Sequence, residues 1–249
     1  MKTAVSLLRV IAILPFLAFA AAASAAGTGP FEVNAYGSFT HMMHSGDTSP
    51  NVSLAGFDGQ RGVYGVGAMQ GLRGEVLIWD GRVLISRGHA TDGATSAVND
   101  SDQATLLATA NVKHWREIAI PADMTQPQFE GFVKEQGRKA GLPADKPFPF
   151  IVKGPVLNYA WHVVAGPMAA GAAMHKASNP AHARLREFMG VRFDQALLLG
   201  FYSGPDMEGA ITHPGEQFHV HLADADLRSS GHVDRYGVGR AATLLLPVP

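Results

Sequence analysis

Three of the eleven histidines of this 249-residue chain lie close together in the segment GEQFHVHLADADLRSSGHVDRY. His219 and His221 alternate with apolar residues in QFHVHL, so on a β-strand both imidazoles would point to one face and the apolar side chains to the other. The short polar run that follows predicts a turn, and Gly231 would let the chain return with His232 beside the first strand. Three neutral imidazoles leave a coordination position free for water or substrate, which is typical of catalytic rather than structural zinc.

The spacing therefore predicts Zn²⁺, or another divalent transition metal, bound by His219, His221 and His232. The alternative is a surface strand with exposed histidines. Because the chain has no cysteine, thiolate metal sites, disulfides and a cysteine nucleophile are excluded.

Three aspartates accompany these histidines in the sequence. Asp224, Asp226 and Asp234 are interpreted as solvated turn residues, with hydrogen bonds to imidazole N–H groups as the alternative.

The elements that must position the histidines are mostly short strands. EVLIWDGRVLIS predicts a hairpin that turns at Asp80-Gly81, and FPFIVKGPVLNYAWHVVAG predicts one or two strands around Gly154-Pro155. QALLLGFYS and QFHVHLADA also have the pattern of strands.

Helices are expected at two places. Apolar residues at helical spacing predict an amphipathic helix that begins at Thr125 as its N-cap and ends near Gly141, and a short helix is predicted over 181–189. The polar segment 88–105 is expected to be a surface loop.

Composition supports an α+β or mostly β fold. Hydrophobic residues make up 47% of the chain and charged residues 16%, and 28 glycines and 15 prolines imply many turns and short strands. We expect an α+β domain built on mixed β-sheets with a few helices. The 20 basic and 21 acidic residues nearly balance, and no basic stripe indicates a nucleic-acid partner.

The first 25 residues have the pattern of an export signal. Lys2 and Arg9 precede the apolar run 11–22, and Ala23-Ser24-Ala25 offers small residues for cleavage. We expect residues 1–25 to be removed, leaving one domain, 26–249, that is periplasmic or secreted and has no membrane partner. An uncleaved membrane anchor is the alternative, but the run is shorter than the roughly 20 residues that a spanning helix needs.

The histidine segment also carries a family resemblance. FHVHLADADLRSSGHVDRY resembles the metal-binding stretch of the α-acetolactate decarboxylases, in which a third histidine in a Gly-His-Val context follows an HxH strand. GFYSGPDMEGAITHPGEQ resembles the strand and loop before that stretch, and VYGVGAMQGLRGEVLIWDGR resembles the family's Gly-Glu hairpin at Gly74-Glu75.

The resemblance implies a fold, a reaction and roles for residues. It implies that His219, His221 and His232 bind the metal, and that Glu75 is a carboxylate near the metal that takes part in proton transfer. In that family the metal binds oxygens of a 2-hydroxy-3-oxo acid, 2-acetolactate, and stabilises the enediolate left by loss of CO₂, which is then protonated to acetoin. Without the resemblance, Glu75 is interpreted as an exposed hairpin residue.

The sequence departs from the family pattern at two points. His162 occupies the place of an arginine that holds the substrate carboxylate, and an imidazole lacks the bidentate fork of a guanidinium. We assign His162 to this site, with Arg61, Arg73 and Lys153 as other candidates for the missing cation. The family's second, C-terminal glutamate has no counterpart, since no acidic residue follows Asp234.

Three functions remain open at this point. The first is a zinc-dependent decarboxylase of the acetolactate type with a small-molecule substrate, and the second is a zinc hydrolase of small esters on the same scaffold. The third is an exported metal- or ligand-binding protein without catalysis. A homodimer is compatible with each of them.

Other histidines and one glutamate are secondary candidates. His213 and Glu216 lie close in sequence to the metal strand and are candidates to line the pocket. His41 and His44 are interpreted as structural, because no acid or third histidine stands at ligand spacing from them.

Overall fold

Short segments of alternating apolar residues pair into two β-sheets. The computed structural model describes residues 31–167 and 183–249, so the signal predicted at 1–25 lies outside the described residues. The first sheet contains β1 (Val33–Tyr36), β2 (Val52–Ser53), β3 (Val63–Met69), β4 (Gly74–Trp79), β5 (Arg82–Arg87), β6 (Thr95–Ala97) and β7 (Gln103–Asn111). The second contains β8 (Trp115–Ala119), β9 (Met124–Thr125), β10 (Phe148–Pro167), β11 (Ala183–Tyr202), β12 (Phe218–Asp224), β13 (Ser230–Val238) and β14 (Thr243–Pro247).

The described part of the chain has few helices beside these sheets. They are the α-helices α1 (Phe39–Ser45), α2 (Gln126–Lys139) and α3 (Gly204–Met207), with two 3-10 helices at Ala55–Phe57 and Gln70–Leu72. The molecule is therefore mostly β. The expectation of an α+β fold is met only in the sense that the chain contains both helices and strands. None of the helices in 31–167 and 183–249 is long and apolar enough to cross a membrane.

Strand pairing is antiparallel wherever the structure describes it. The first sheet has the order β1-β7-β3-β4-β5-β6, with β2 also on β7, and the second has the order β8-β14-β10-β11-β12-β13-β9. Every pair is antiparallel, so the prediction of mixed sheets is wrong. Short connections join β3 to β4, β4 to β5 and β12 to β13, and a parallel pair would need a crossover of a dozen or more residues.

Four strands of the second sheet close on themselves. β10 pairs with β11 on one side and with β13 on the other, while β12 pairs with both β11 and β13. We call β10, β11, β12 and β13 the closed four-strand unit. Because each of these strands is paired on both sides, its register is fixed twice. The direction in which each of its side chains points is therefore fixed as well.

The two sheets pack face to face around an apolar layer. Val66 and Leu77 of the first sheet meet Leu199, Phe201 and neighbouring residues of the second in one buried cluster. The outer face of the second sheet is covered by α2, whose Phe129 and Val133 are fully buried. Residues that face the first sheet from β12 are therefore in the middle of the molecule.

The hairpin predicted at Asp80-Gly81 is confirmed. β4 and β5 pair from Gly74 with Arg87 to Trp79 with Arg82, and the two loop residues have φ values of 50° and 78°. A two-residue turn with both φ values positive is the type that matches the twist of a hairpin. Its register places Glu75 and Leu77 on the face that meets the second sheet, since they are two residues apart on one strand.

The predicted amphipathic helix is also confirmed. α2 covers residues 126–139, and the backbone N–H of Thr125 donates to Gln128 Oε1 at 2.9 Å, as in a capping box. Gly141, with φ of 85°, follows the helix end.

The short helix predicted over 181–189 is wrong. Residues 183–189 belong to β11, which pairs with β10 along 20 residues, while 181 and 182 lie outside the described residues. Local helix propensity is a weak preference that such long pairing overrides.

The segment 88–105, which is expected to be a surface loop, contains β-strands. It contains β6 and the start of β7, and Asp102 and Thr105 are buried.

Asp102 is buried because it pairs with Arg87. The guanidinium donates to both carboxylate oxygens at 3.0 and 2.7 Å, and the N–H of Asn99 donates to Oδ2 at 2.8 Å. Burial raises the pKa of Asp102, but the hydrogen bonds from Arg87 and Asn99 outweigh it and hold the pKa below the ordinary value of 3.8. The pair joins β5 to the residues that precede β7.

We expect Asp102→Asn to lower the free energy of unfolding by about 1–3 kcal/mol at pH 7, because it removes the charge that the partly buried guanidinium faces. Since the folded-state pKa is lowered, this contribution is complete above pH 3.8 and is lost as the pH falls through the folded value. Urea denaturation of both proteins between pH 3 and 7 measures the difference. Asp226→Asn is the control, because its pair with Arg228 is exposed and 3.9 Å long. A constant difference over this pH range would contradict the assignment.

Candidate metal centre

The three histidines of the sequence motif lie on adjacent strands of the closed four-strand unit. In β12, Val220 and Leu222 pack into the cluster under α2, while His219 and His221 point to the opposite side, toward the first sheet. His232 on β13 is the register partner of His221. Directly opposed residues of an antiparallel pair share one face of the sheet, so the alternation and turn predicted from sequence bring the three imidazoles together.

Their nitrogen atoms are close enough to bind one ion. One ligand atom from each histidine lies within 4.8 Å of the other two. The imidazole of His219 is centred 5.1 Å from that of His221 and 5.0 Å from that of His232, and the latter two are 5.6 Å apart.

Burial keeps these imidazoles neutral. Burial, followed by the proximity of His213, lowers the pKa of His219 to about 3. Burial and the neighbouring imidazoles also hold the pKa values of His221 and His232 well below the ordinary 6.5. Neutral imidazole is the form that binds metals, so no proton has to be displaced near neutral pH.

Hydrogen bonding at the cluster fits a metal as well. His219 Nδ1 is 2.9 Å from the carbonyl oxygen of Ile211, which accepts its proton and leaves Nε2 for a ligand. His221 is fully buried, and neither of its nitrogens has a hydrogen-bond partner among the described residues. Buried polar atoms without a partner are costly, and a metal ion would satisfy one of the two nitrogens of His221.

Glu75 faces the three histidines from the first sheet. Its side chain is 3% exposed, so the interpretation of an exposed hairpin residue is wrong. The N–H of Val164 donates to Oε1 at 3.3 Å, and Oε2 lies 3.6 Å from His221 Nε2. Burial raises the pKa of Glu75 to about 8, despite opposing contributions from His162 and the Val164 N–H. A buried carboxyl of this kind can hold or release a proton near neutral pH.

His162 lies beside the cluster on β10. It is the register partner of His232, and the two imidazoles are centred 5.1 Å apart. Asp234 lies on β13, and its Oδ1 is 2.8 Å from Nδ1 of His162. Its interpretation as a turn residue is therefore wrong, and the alternative of a hydrogen bond to an imidazole is the one found. Although burial lowers the pKa of His162, the hydrogen bond to Asp234 and the charge of Glu75 raise it above the ordinary value.

The family comparison now decides the class of protein. The family model described as alpha-acetolactate decarboxylase matches residues 38–245. The chain belongs to this family. The matched range includes Glu75, His162 and the three clustered histidines.

Solved structures of acetolactate decarboxylases share the fold. The chain is similar to alpha-acetolactate decarboxylase from Bacillus subtilis strain 168, with a TM-score of 0.66 and 18% identity over 86% of this chain and 85% of that one. It is equally similar to acetolactate decarboxylase from Bacillus subtilis subspecies spizizenii, with a TM-score of 0.65 and 19% identity over 87% and 86% of the two chains.

A third structure is a Staphylococcus aureus protein of unknown function similar to alpha-acetolactate decarboxylase, with a TM-score of 0.63 and 14% identity over 86% and 84%. The comparison with curated protein sequences finds no match.

The remaining candidates from sequence differ in their distance from the cluster. The imidazole of His213 is centred 6.0 Å from that of His232, so it borders the site, whereas Glu216 is exposed on a separate cavity of about 370 Å³ beside α2. His41 and His44 lie on α1. Arg61, Arg73 and Lys153 are exposed.

Two contacts of the cluster are not apparent from the sequence. Phe39 of α1 lies edge-on to His219, with ring centres 5.2 Å apart, and 4.5 Å from the ring of His213. The carbonyl of Ile211 orients His219 from a turn. Both contacts join segments that are far apart in sequence or irregular in structure, and no local pattern marks them.

Proposed function

We propose that this chain is a divalent-metal-dependent carboxy-lyase that converts 2-acetolactate, or a related 2-hydroxy-3-oxo acid, into acetoin or its analogue and CO₂. We propose zinc as the metal. The observation that carries the proposal is the convergence of three neutral histidines opposite a buried glutamate, in a chain of the acetolactate decarboxylase family.

The donor set fits zinc. His219, His221 and His232 would supply three nitrogen ligands, which leaves a position of a four-coordinate ion for substrate. When bound, such an ion supplies a Lewis acid for substrate oxygens on which negative charge develops.

Glu75 is the group placed to move the proton. Loss of CO₂ breaks the bond between the carboxyl carbon and carbon 2 and leaves the electron pair on carbon 2, which must then take up a proton. Glu75 Oε2 faces the cluster from 3.6 Å and is shielded from solvent, so the proton it holds is not exchanged freely with water. We propose that Glu75 delivers this proton.

His162 is the group placed to bind the substrate carboxylate. It stands next to His232, and Asp234 fixes its orientation through Nδ1. Nε2 has no hydrogen-bond partner among the described residues and is placed to donate to an anion. A single imidazole donor replaces the two parallel donors of the family's arginine. We therefore propose that the substrate carboxylate is bound more weakly than in the family, or that the substrate is an acid of a different shape.

We expect His162→Gln to raise the KM for 2-acetolactate by about 10- to 100-fold, because the cationic donor to the carboxylate is lost. The kcat should change less than the KM, and the metal content should not change. Steady-state kinetics and metal analysis of the same preparation measure all three. A fall in kcat at constant KM would instead place His162 in the chemical step.

The proposal is tested by assaying purified protein, with its metal content measured first. We expect about one divalent ion per chain and formation of acetoin from racemic 2-acetolactate. A protein that lacks a stoichiometric ion would overturn the metal site. Hydrolysis of small esters without acetoin would favour the hydrolase, and binding of metal without either activity would favour the non-catalytic alternative.

We also propose that the protein is exported, on the signal pattern of residues 1–25. N-terminal sequencing of the protein recovered outside the cytoplasm should begin after Ala25. Recovery of the chain with Met1 in the cytoplasmic fraction would count against export.

A further inference from the structure

His213 borders the three clustered histidines but does not belong to them. Its imidazole is centred 6.0 Å from that of His232, and it is not among the residues whose ligand atoms converge. Its side chain is half-buried, whereas His219 and His221 are buried. Neither of its nitrogens has a hydrogen-bond partner among the described residues. His213 therefore brings polar atoms to the cluster that no contact of the protein uses.

The loop that carries His213 is held in place on both sides of this residue. Before it, the carbonyl oxygen of Gly209 accepts the backbone N–H of Thr40 at 2.8 Å, which joins the loop to α1. After it, the N–H of Glu216 donates to the carbonyl oxygen of His213 at 3.0 Å. The ring of Phe39 packs against the imidazole, with centres 4.5 Å apart. A side chain fixed in this way loses little conformational freedom when it binds a ligand.

His162 borders the same cluster from another element. Its imidazole is centred 5.1 Å from that of His232, and its Nδ1 is directed to Asp234. Burial lowers the pKa of His213, and the charge of His162 acts on it in the same direction, so the two imidazoles lie within electrostatic range of each other. A ligand next to His232 is thus within reach of imidazoles from both β10 and the loop before β12.

A carboxylate needs more donors than His162 supplies. It has two oxygens, and a guanidinium binds both of them through two parallel N–H groups. Because Nδ1 of His162 is directed to Asp234, this imidazole has one nitrogen left and can donate to one oxygen only. The second oxygen requires a donor from another residue. His213 carries an imidazole N–H, borders the same histidine and has no partner for it in the described chain.

We propose that His213 binds the substrate carboxylate together with His162, with one imidazole N–H directed to each oxygen. His213 is then a substrate-binding residue of this chain, and two imidazoles on separate elements do the work of one guanidinium fork. The inference rests on the proposed function, because it takes the substrate to be a 2-hydroxy acid bound beside His232.

Isothermal titration calorimetry with 2-hydroxyisobutyrate and with its amide tests the proposal on the protein as purified, with its metal content measured. The two probes share the hydroxyl group and differ in the charged carboxylate. We expect the wild type to bind the acid at least about tenfold more tightly than the amide. His213→Phe, which keeps a ring against Phe39 and removes both nitrogens, should weaken binding of the acid about 10- to 100-fold and that of the amide less than about threefold. His213→Gln, which keeps an N–H donor, should bind the acid more tightly than His213→Phe does.

Three results would overturn the inference: a wild type that binds acid and amide equally, a His213→Phe variant that binds the acid normally, or a variant that loses both probes to the same extent. The last result would indicate a distorted pocket. The metal content of the His213 variants should equal that of the wild type, and His114→Phe, at an exposed histidine, is the matched control.

Failure of the proposed function gives a different result. If the acid is bound through His213 and no acetoin forms from 2-acetolactate, the binding residue stands and the reaction does not. If acetoin forms and His213→Phe has the KM of the wild type, the reaction stands and the role of His213 does not.

Discussion

Replacement of His221 by alanine is expected to abolish stoichiometric metal binding and to reduce decarboxylation at least about 10³-fold, since a Lewis acid contributes several kcal/mol to such a step. His221 lies between the other two ligands of the cluster, in register with His232 and two residues from His219. Both of its nitrogens are buried and have no hydrogen-bond partner in the described chain, and a metal ion would satisfy one of them. Elemental analysis and the acetoin assay measure the two losses together.

The metal-free protein provides an internal control for this prediction. Without metal, the buried imidazole of His221 is an unsatisfied polar group. The free energy of unfolding of His221→Leu should therefore equal or exceed that of the metal-free wild type. Added zinc should stabilise the wild type and leave His221→Leu unchanged.

His114→Ala, at an exposed histidine before β8, is the control for the His221 variants. It should bind metal and convert substrate as the wild type does. Equal stabilisation of His221→Leu by zinc would contradict the assigned ligand set.

The convergence of the three histidines could be predicted from sequence because each step of the pattern is local. Alternation in QFHVHL determines which side chains share a face, and only a short polar turn with its flanking strand ends separates that segment from Gly231. The same local rules predict the Asp80-Gly81 hairpin and α2. In each case the residues that decide the conformation are neighbours in the chain.

The groups that surround the three histidines depend on packing between distant segments. From the hairpin sequence alone Glu75 is expected to be exposed, and it is buried because the two sheets pack against each other. It accepts a hydrogen bond from the N–H of Val164, which is 89 positions away in the chain. Asp234 reaches His162 only because β13 pairs with β10 to close the four-strand unit. Local patterns carry no information about these contacts, which is why only the resemblance indicated Glu75.

Glu75→Gln is expected to reduce kcat about 10²- to 10⁴-fold with little change in metal content, because it removes the group proposed to transfer the proton and keeps the shape of the side chain. The pKa of about 8 means that the carboxyl of the metal-free protein is mostly protonated at pH 7, so glutamine imitates its charge as well as its size. The amide oxygen can still accept the N–H of Val164. Folding and metal uptake should therefore be nearly those of the wild type.

The result for Glu75 separates a chemical role from a metal-binding one. If the carboxylate were a fourth ligand, Glu75→Gln would lose metal and activity in parallel, and excess zinc would restore part of the activity. If Glu75 transfers the proton, the variant keeps its metal and remains slow at any zinc concentration. Glu117→Gln, at an exposed position of β8, controls for the loss of one carboxylate elsewhere. Because Oε2 lies 3.6 Å from His221 Nε2, metal content and kcat have to be measured on the same preparation to separate the two roles.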